Sequence, residues 1–121
     1  MAHSPAFLEL IESVRATVHD VSVEQTRARI SEHPSTILVD VREDNEWNAG
    51  HVAGAIHLGK GIIERDIEEQ IPDRNAELIL YCGGGFRSVL AADALQKMGY
   101  KNVASMAGGW REWKSIGAPV E

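Results

Sequence analysis

Leu78-Ile79-Leu80-Tyr81-Cys82-Gly83-Gly84-Gly85-Phe86-Arg87-Ser88 joins an apolar run to a helical pattern through three consecutive glycines. Leu78 to Tyr81 reads as a strand buried on both faces, because no polar residue alternates with the apolar ones. From Ser88 to Met98, the residues Leu90, Ala91, Ala94, Leu95 and Met98 recur at helical spacing, and Gly99 follows as a C-cap. A strand, a glycine turn and a helix in that order predict part of an α/β sheet. Ligands of such sheets gather at the carboxyl ends of the strands, which is where this reading puts Cys82.

Working outward, the same alternation continues in both directions. Upstream, Thr36-Ile37-Leu38-Val39-Asp40-Val41 predicts a second strand, β-branched and apolar over a strand's length. Ser22 and Gln25 fit a capping box that opens a helix whose face carries Val23, Thr26 and Ile30 and which ends before Pro34. His19 to Val21 supplies a short first strand. Ser4-Pro5 opens an N-terminal amphipathic helix with Phe7, Ile11, Val14 and Val18 on one stripe, expected to pack on its own domain. Between these strands and the glycine turn, Arg42 to Asn48 makes a short helix that Gly50 ends, and Gly54 to Leu58 a short strand. Ile62 or Ile63, Ile67 and Ile71 mark a helix closed by Pro72. Downstream, Val103 to Met106 is the last strand, and Gly108-Gly109 separates it from a helix, Trp110 to Ile116, carrying Trp110 and Trp113 on one face. The expected organisation is a helix within 1–18 followed by one α/β domain over 19–121, with a mostly parallel sheet between helices.

Whole-chain properties narrow the function. A net charge of −6 and the absence of any basic block argue against nucleic acid as a partner. No apolar run approaches the roughly 20 residues that span a bilayer, and Met1 to Pro5 lacks the features of a secretory leader. The cytoplasm is therefore the expected compartment, and a single cysteine agrees with reducing surroundings. The five histidines show no metal-ligand spacing with Cys82.

Most free cysteines are small buried hydrophobes. The neighbours of Cys82 argue for chemistry instead. Gly83, Gly84 and Gly85 let backbone N–H groups turn inward, and the following helix points its unpaired N–H groups and partial positive charge at the loop. Both favour a negatively charged sulfur. Arg87 adds a permanent charge and a fork of donors at the rim. Neither G-x-x-x-x-G-K-[ST] nor G-x-G-x-x-G is present here, and no second cysteine makes a C-x-x-C redox pair.

From about Val21 to the C-terminus these residues resemble the rhodanese family of sulfurtransferases. Cys82-Gly83-Gly84-Gly85-Phe86-Arg87 is similar to its C-x-x-G-x-R loop, and Leu38-Val39-Asp40-Val41-Arg42 to its L-[IV]-D-V-R strand. Glu46-Trp47 with Gly50-His51-Val52-Ala53-Gly54-Ala55, and Gly108-Gly109-Trp110 with Trp113, resemble two further motifs in the family's order. The resemblance implies a sheet of about five strands. It implies Cys82 as the catalytic residue that takes a sulfane sulfur from thiosulfate or a persulfide and passes it to cyanide, a thiol or a protein thiol. Gly83, Gly84, Gly85, Phe86, Arg87 and Ser88 would then bind substrate, with Asp40, Trp47 and His51 in supporting roles and with no metal or organic cofactor. Arg87 is the loop's only cation, whereas relatives assigned to thiosulfate often carry a second one. A neutral or protein-bound persulfide donor therefore fits as well as thiosulfate.

Two other functions compete. Cysteine phosphatases and arsenate reductases of this fold have, by the same family resemblance, a C-x-x-x-x-x-R loop, one residue longer than the spacing from Cys82 to Arg87. A non-catalytic rhodanese module that binds partners or senses oxidants is the alternative from a different class.

Overall fold

The computed structural model describes residues 3–121; Met1 and Ala2, which open the N-terminal segment, lie outside the described residues. In chain order the elements are α1 (Pro5–Arg15), β1 (His19–Val21), α2 (Val23–Glu32), β2 (Ile37–Asp40), α3 (Asp44–Ala49), β3 (Ile56–His57), α4 (Ile63–Gln70), β4 (Leu78–Tyr81), α5 (Arg87–Lys97), β5 (Val103–Met106) and α6 (Gly109–Ser115). The strands form one sheet in the order β1-β5-β4-β2-β3, and every pairing is parallel. The central strand β4 is the one predicted from Leu78 to Tyr81.

All four residues of β4 are buried because helices cover both faces of the sheet. Leu78, Leu80 and Cys82 project into one core with Ile11, Val39, Ile63, Ile67, Val89 and Leu95, contributed largely by α1, α4 and α5. Ile79 and Tyr81 project into the other, with Val23, Leu38, Met106 and Trp113, under α2 and α6. The alternation puts the cysteine side chain on the α5 side of the sheet and the Tyr81 hydroxyl on the other.

Local signals set several boundaries. The Ser4 hydroxyl accepts the Phe7 N–H at 3.2 Å with Pro5 in the first turn of α1. The Ser22–Gln25 capping box closes in both directions, at 3.0 and 2.8 Å. Ile11 is buried and Phe7 and Val14 pack against the same core, so α1 lies on the domain. Several predicted elements are shorter than their patterns: α1 stops at Arg15, before Val18, and β2 keeps Ile37–Asp40 of Thr36 to Val41. The strand expected over Gly54 to Leu58 keeps only Ile56 and His57, since β3 is an edge strand paired with β2 alone. The helix expected from Arg42 starts at Asp44, because Arg42 is drawn into a buried ion pair with Asp40.

Candidate active site

Cys82 follows the last residue of β4 and is 1% exposed. Its Sγ accepts the backbone N–H of Gly85 at 3.2 Å and that of Ser88 at 3.4 Å. Ser88 is in the first turn of α5, where N–H groups have no partner within the helix. Phe86, at the N-cap, offers no side-chain bond, so the sulfur takes the place of a capping oxygen. The Ser88 hydroxyl stands 3.5 Å from Sγ and 2.8 Å from the Ser105 hydroxyl of β5, and both serines are fully buried. The sulfur thus sits among N–H and O–H groups on the floor of the loop, placed as a hydrogen-bond acceptor.

Two glycines have no substitute here. Gly85 adopts φ +99°, and a Cβ on it would lie 3.3 Å from the Gly108 backbone nitrogen. Gly109, at φ +53°, lets α6 seat directly on the loop, where its following residues Trp110 and Arg111 donate N–H bonds to the Cys82 and Gly83 carbonyls at 2.8 and 3.1 Å. A second element therefore braces the loop from outside.

Arg87 is half-buried and one edge of its fork is taken: Nη1 and Nη2 donate to the two Glu46 carboxylate oxygens at 2.7 and 3.1 Å. Hydrogen bonding to Glu46, chiefly, holds the guanidinium further above its ordinary range, and the same bond holds the Glu46 carboxyl below its own. Glu46 Oε1 also accepts the Glu43 N–H at 3.1 Å, which fixes it in the first turn of α3. The cation expected at the rim is thereby neutralised by the neighbouring helix.

The other expected residues divide. Phe86 packs edge-on against Phe7 and His3, with centroids 6.2 and 4.8 Å away, and so ties the loop to α1. Trp47 stacks with the His51 and His57 rings at 3.5 and 4.9 Å, one residue from Glu46. Asp40 does not reach the loop. Its carboxylate, fully buried on the opposite face, receives Arg42 Nη2 and the Tyr81 hydroxyl, each at 2.7 Å. Arg42 in turn donates to the Gly50 carbonyl at 2.7 Å and lies 4.8 Å from the Trp110 ring centroid. Burial pushes the Tyr81 phenol far upward, which keeps it a hydrogen-bond donor. Asp40 therefore steadies the segment from β2 to α3 and the seat of α6, and it acts on the loop only through them.

Three groups near the loop were not among the expected site residues. Ser105 carried one signal, a buried hydroxyl in an otherwise apolar strand. Glu46 appeared only within a motif. Arg111 carried no signal, since only folding brings α6 to the loop. A groove of about 510 Å³ bounded by His19, Gln25, Arg29 and Lys101 lies at the amino ends of the strands, away from Cys82. Among the described residues no group of three His, Cys, Asp or Glu side chains could hold a metal ion, and no helix is long and apolar enough to cross a membrane.

Residues 22–116 match the family model of the rhodanese-like domain. Thiosulfate sulfurtransferase GlpE of Tolumonas auensis is 32% identical over 96 residues, covering 79% of this chain and 88% of that one. YrkF of Bacillus subtilis is 30% identical over 98 residues, 81% of this chain, which spans about half (52%) of its length. Among solved structures, RPA3614 of Rhodopseudomonas palustris, a protein of unknown function described as a possible tyrosine phosphatase, superposes with a TM-score of 0.85 at 26% identity, covering 100% of this chain and 98% of that one.

Proposed function

The chain belongs to the rhodanese-like domain family, and on that premise we propose that it is a sulfurtransferase with Cys82 as its nucleophile. The observation that carries this reading is the position of Sγ, which accepts two backbone N–H groups at 3.2 and 3.4 Å inside the loop. In the first step the Cys82 thiolate attacks the outer sulfur of thiosulfate or of a persulfide. A bond from Sγ to that sulfur forms, the donor's S–S bond breaks, and sulfite or a thiolate leaves with the electron pair. In the second step cyanide or a thiolate, free or on a protein, attacks the outer sulfur of the Cys82 persulfide, and the Cys82 thiolate departs. Each displacement is simpler than a direct transfer, and the charge on sulfur stays beside fixed donors throughout.

Gly83, Gly84, Gly85 and Ser88 form the pocket, with Phe86 and Arg87 fixing its shape through α1 and α3. Asp40, Trp47 and His51 support it from a distance. A lone cysteine that cycles through a persulfide suits a reducing compartment such as the cytoplasm.

The Rhodopseudomonas palustris neighbour raises a phosphatase as the second reading. Its loop would need five residues between cysteine and arginine by family resemblance, whereas four separate Cys82 from Arg87. Steady-state assays decide between the two. Transfer of sulfur from thiosulfate or a persulfide to cyanide or glutathione is expected, to be abolished by Cys82→Ser, with negligible release of phosphate from an aryl phosphate. Aryl phosphate turnover matching or exceeding sulfur transfer would overturn the assignment.

A further inference from the structure

Arg87 gives two of its five N–H donors to Glu46, at 2.7 and 3.1 Å, and that carboxylate offsets its charge toward an anionic donor. A second guanidinium stands at the same loop. Were Gly84 to carry a Cβ, that atom would lie 3.5 Å from Arg111 Nη1 and 3.9 Å from Nη2 and Cζ. The backbone of Arg111 is anchored by its N–H to the Gly83 carbonyl at 3.1 Å, one residue from the cysteine. Its side chain is exposed, and among the described residues no carboxylate comes within 4.0 Å of it.

We infer that Arg111 binds the anionic end of the sulfur donor and so determines donor specificity, an assignment that rests on the sulfurtransferase reading above. In the proposed transfer the sulfur bonds to Cys82 Sγ at the base of the loop, so the rest of the donor must project past the rim. A planar fork of N–H donors matches the oxygens of a sulfonate, as in thiosulfate, and equally a carboxylate on a thiol-derived persulfide. Gly84 faces the fork, and a side chain there would meet the guanidinium. The division of labour follows: Arg87, paired with Glu46, shapes the loop, and Arg111, unpaired, meets the donor. Arg87 remains the only cation of the loop itself, and the second guanidinium comes from α6.

The test compares wild type, Arg111→Ala and Arg111→Lys with three donors: thiosulfate, glutathione persulfide and 2-hydroxyethyl persulfide, which carries neither sulfonate nor carboxylate. Arg111→Ala is expected to raise KM for thiosulfate about five-fold, as for loss of one exposed charge-assisted contact, and to change KM for the hydroxyethyl donor less than about two-fold. Arg111→Lys should recover part of the loss. A parallel loss with glutathione persulfide extends the assignment to carboxylates; no change there restricts it to the sulfonate. An unchanged KM for both anionic donors overturns the inference, as does an equal loss with all three. Unfolding midpoints of the variants show whether any loss comes from a damaged fold. Failure of the wild type to transfer sulfur from any donor would instead remove the sulfurtransferase reading, and the assignment of Arg111 with it.

Discussion

A methyl group added at Gly109 would stand 2.4 Å from the Cys82 carbonyl oxygen and 2.9 Å from that of Gly83, with the backbone already at φ +53°. Neither oxygen can move without deforming the loop that holds the sulfur. Gly109→Ala is expected to destabilise the fold by about 2–4 kcal/mol, from the left-handed backbone cost and overpacking together. Gly61, with open space around it and no positive φ, is the control, and its change to alanine should stay within about 1 kcal/mol. Urea unfolding of the two variants measures both, and equal values would contradict this account of how α6 seats on the loop. At this scale the sequence was legible for Cys82, the three loop glycines and Ser88, which lie together in the chain. It was not legible for Ser105, Glu46 or Arg111, whose roles exist only once other elements bring them to the loop.

At the scale of elements, the Glu46–Arg87 pair joins α3 to the start of α5 across 41 positions of sequence. The hydrogen bond from Arg87 depresses the Glu46 carboxyl, against an opposing contribution from burial. A carboxylate with a lowered value in the folded state contributes stability that is full above its unfolded value, about 4.3. That contribution is lost as pH falls through the still lower folded value. The stability difference between wild type and Glu46→Gln should therefore be flat from pH 7 to about 5.5 and shrink only as the solution becomes more acidic than the ordinary glutamate range. Chemical denaturation across this range checks it, and a difference that already declines between pH 7 and 6 would contradict the coupling. The capping box of α2 and the limits of β4 and β5 were readable because their signals are local. β3 and α3 were overextended because an edge position and a buried Asp40–Arg42 ion pair, both tertiary facts, trimmed them.

For the molecule as a whole, the parallel sheet divides structural from chemical tasks. Its α2 and α6 face holds the buried Asp40, Arg42 and Tyr81 network, in which every member has a partner. Removing one partner from such a buried pair is costly, so the network specifies where α6 rests. The α5 face holds the sulfur. Uninterrupted apolar strands announced that both faces would be covered. The strand order β1-β5-β4-β2-β3 was not readable from periodicity, because crossover connections leave no periodic trace in the sequence.

The central claim is that this architecture holds one sulfur on Cys82, and the mass of the intact chain tests it most directly. After incubation with thiosulfate, or with a persulfide donor, and removal of excess reagent, the protein is expected to gain a single sulfur atom, about 32 Da, with no gain in Cys82→Ser. A wild-type mass unchanged by both donors, or a Cys82→Ser protein that gains the same increment, would contradict the account.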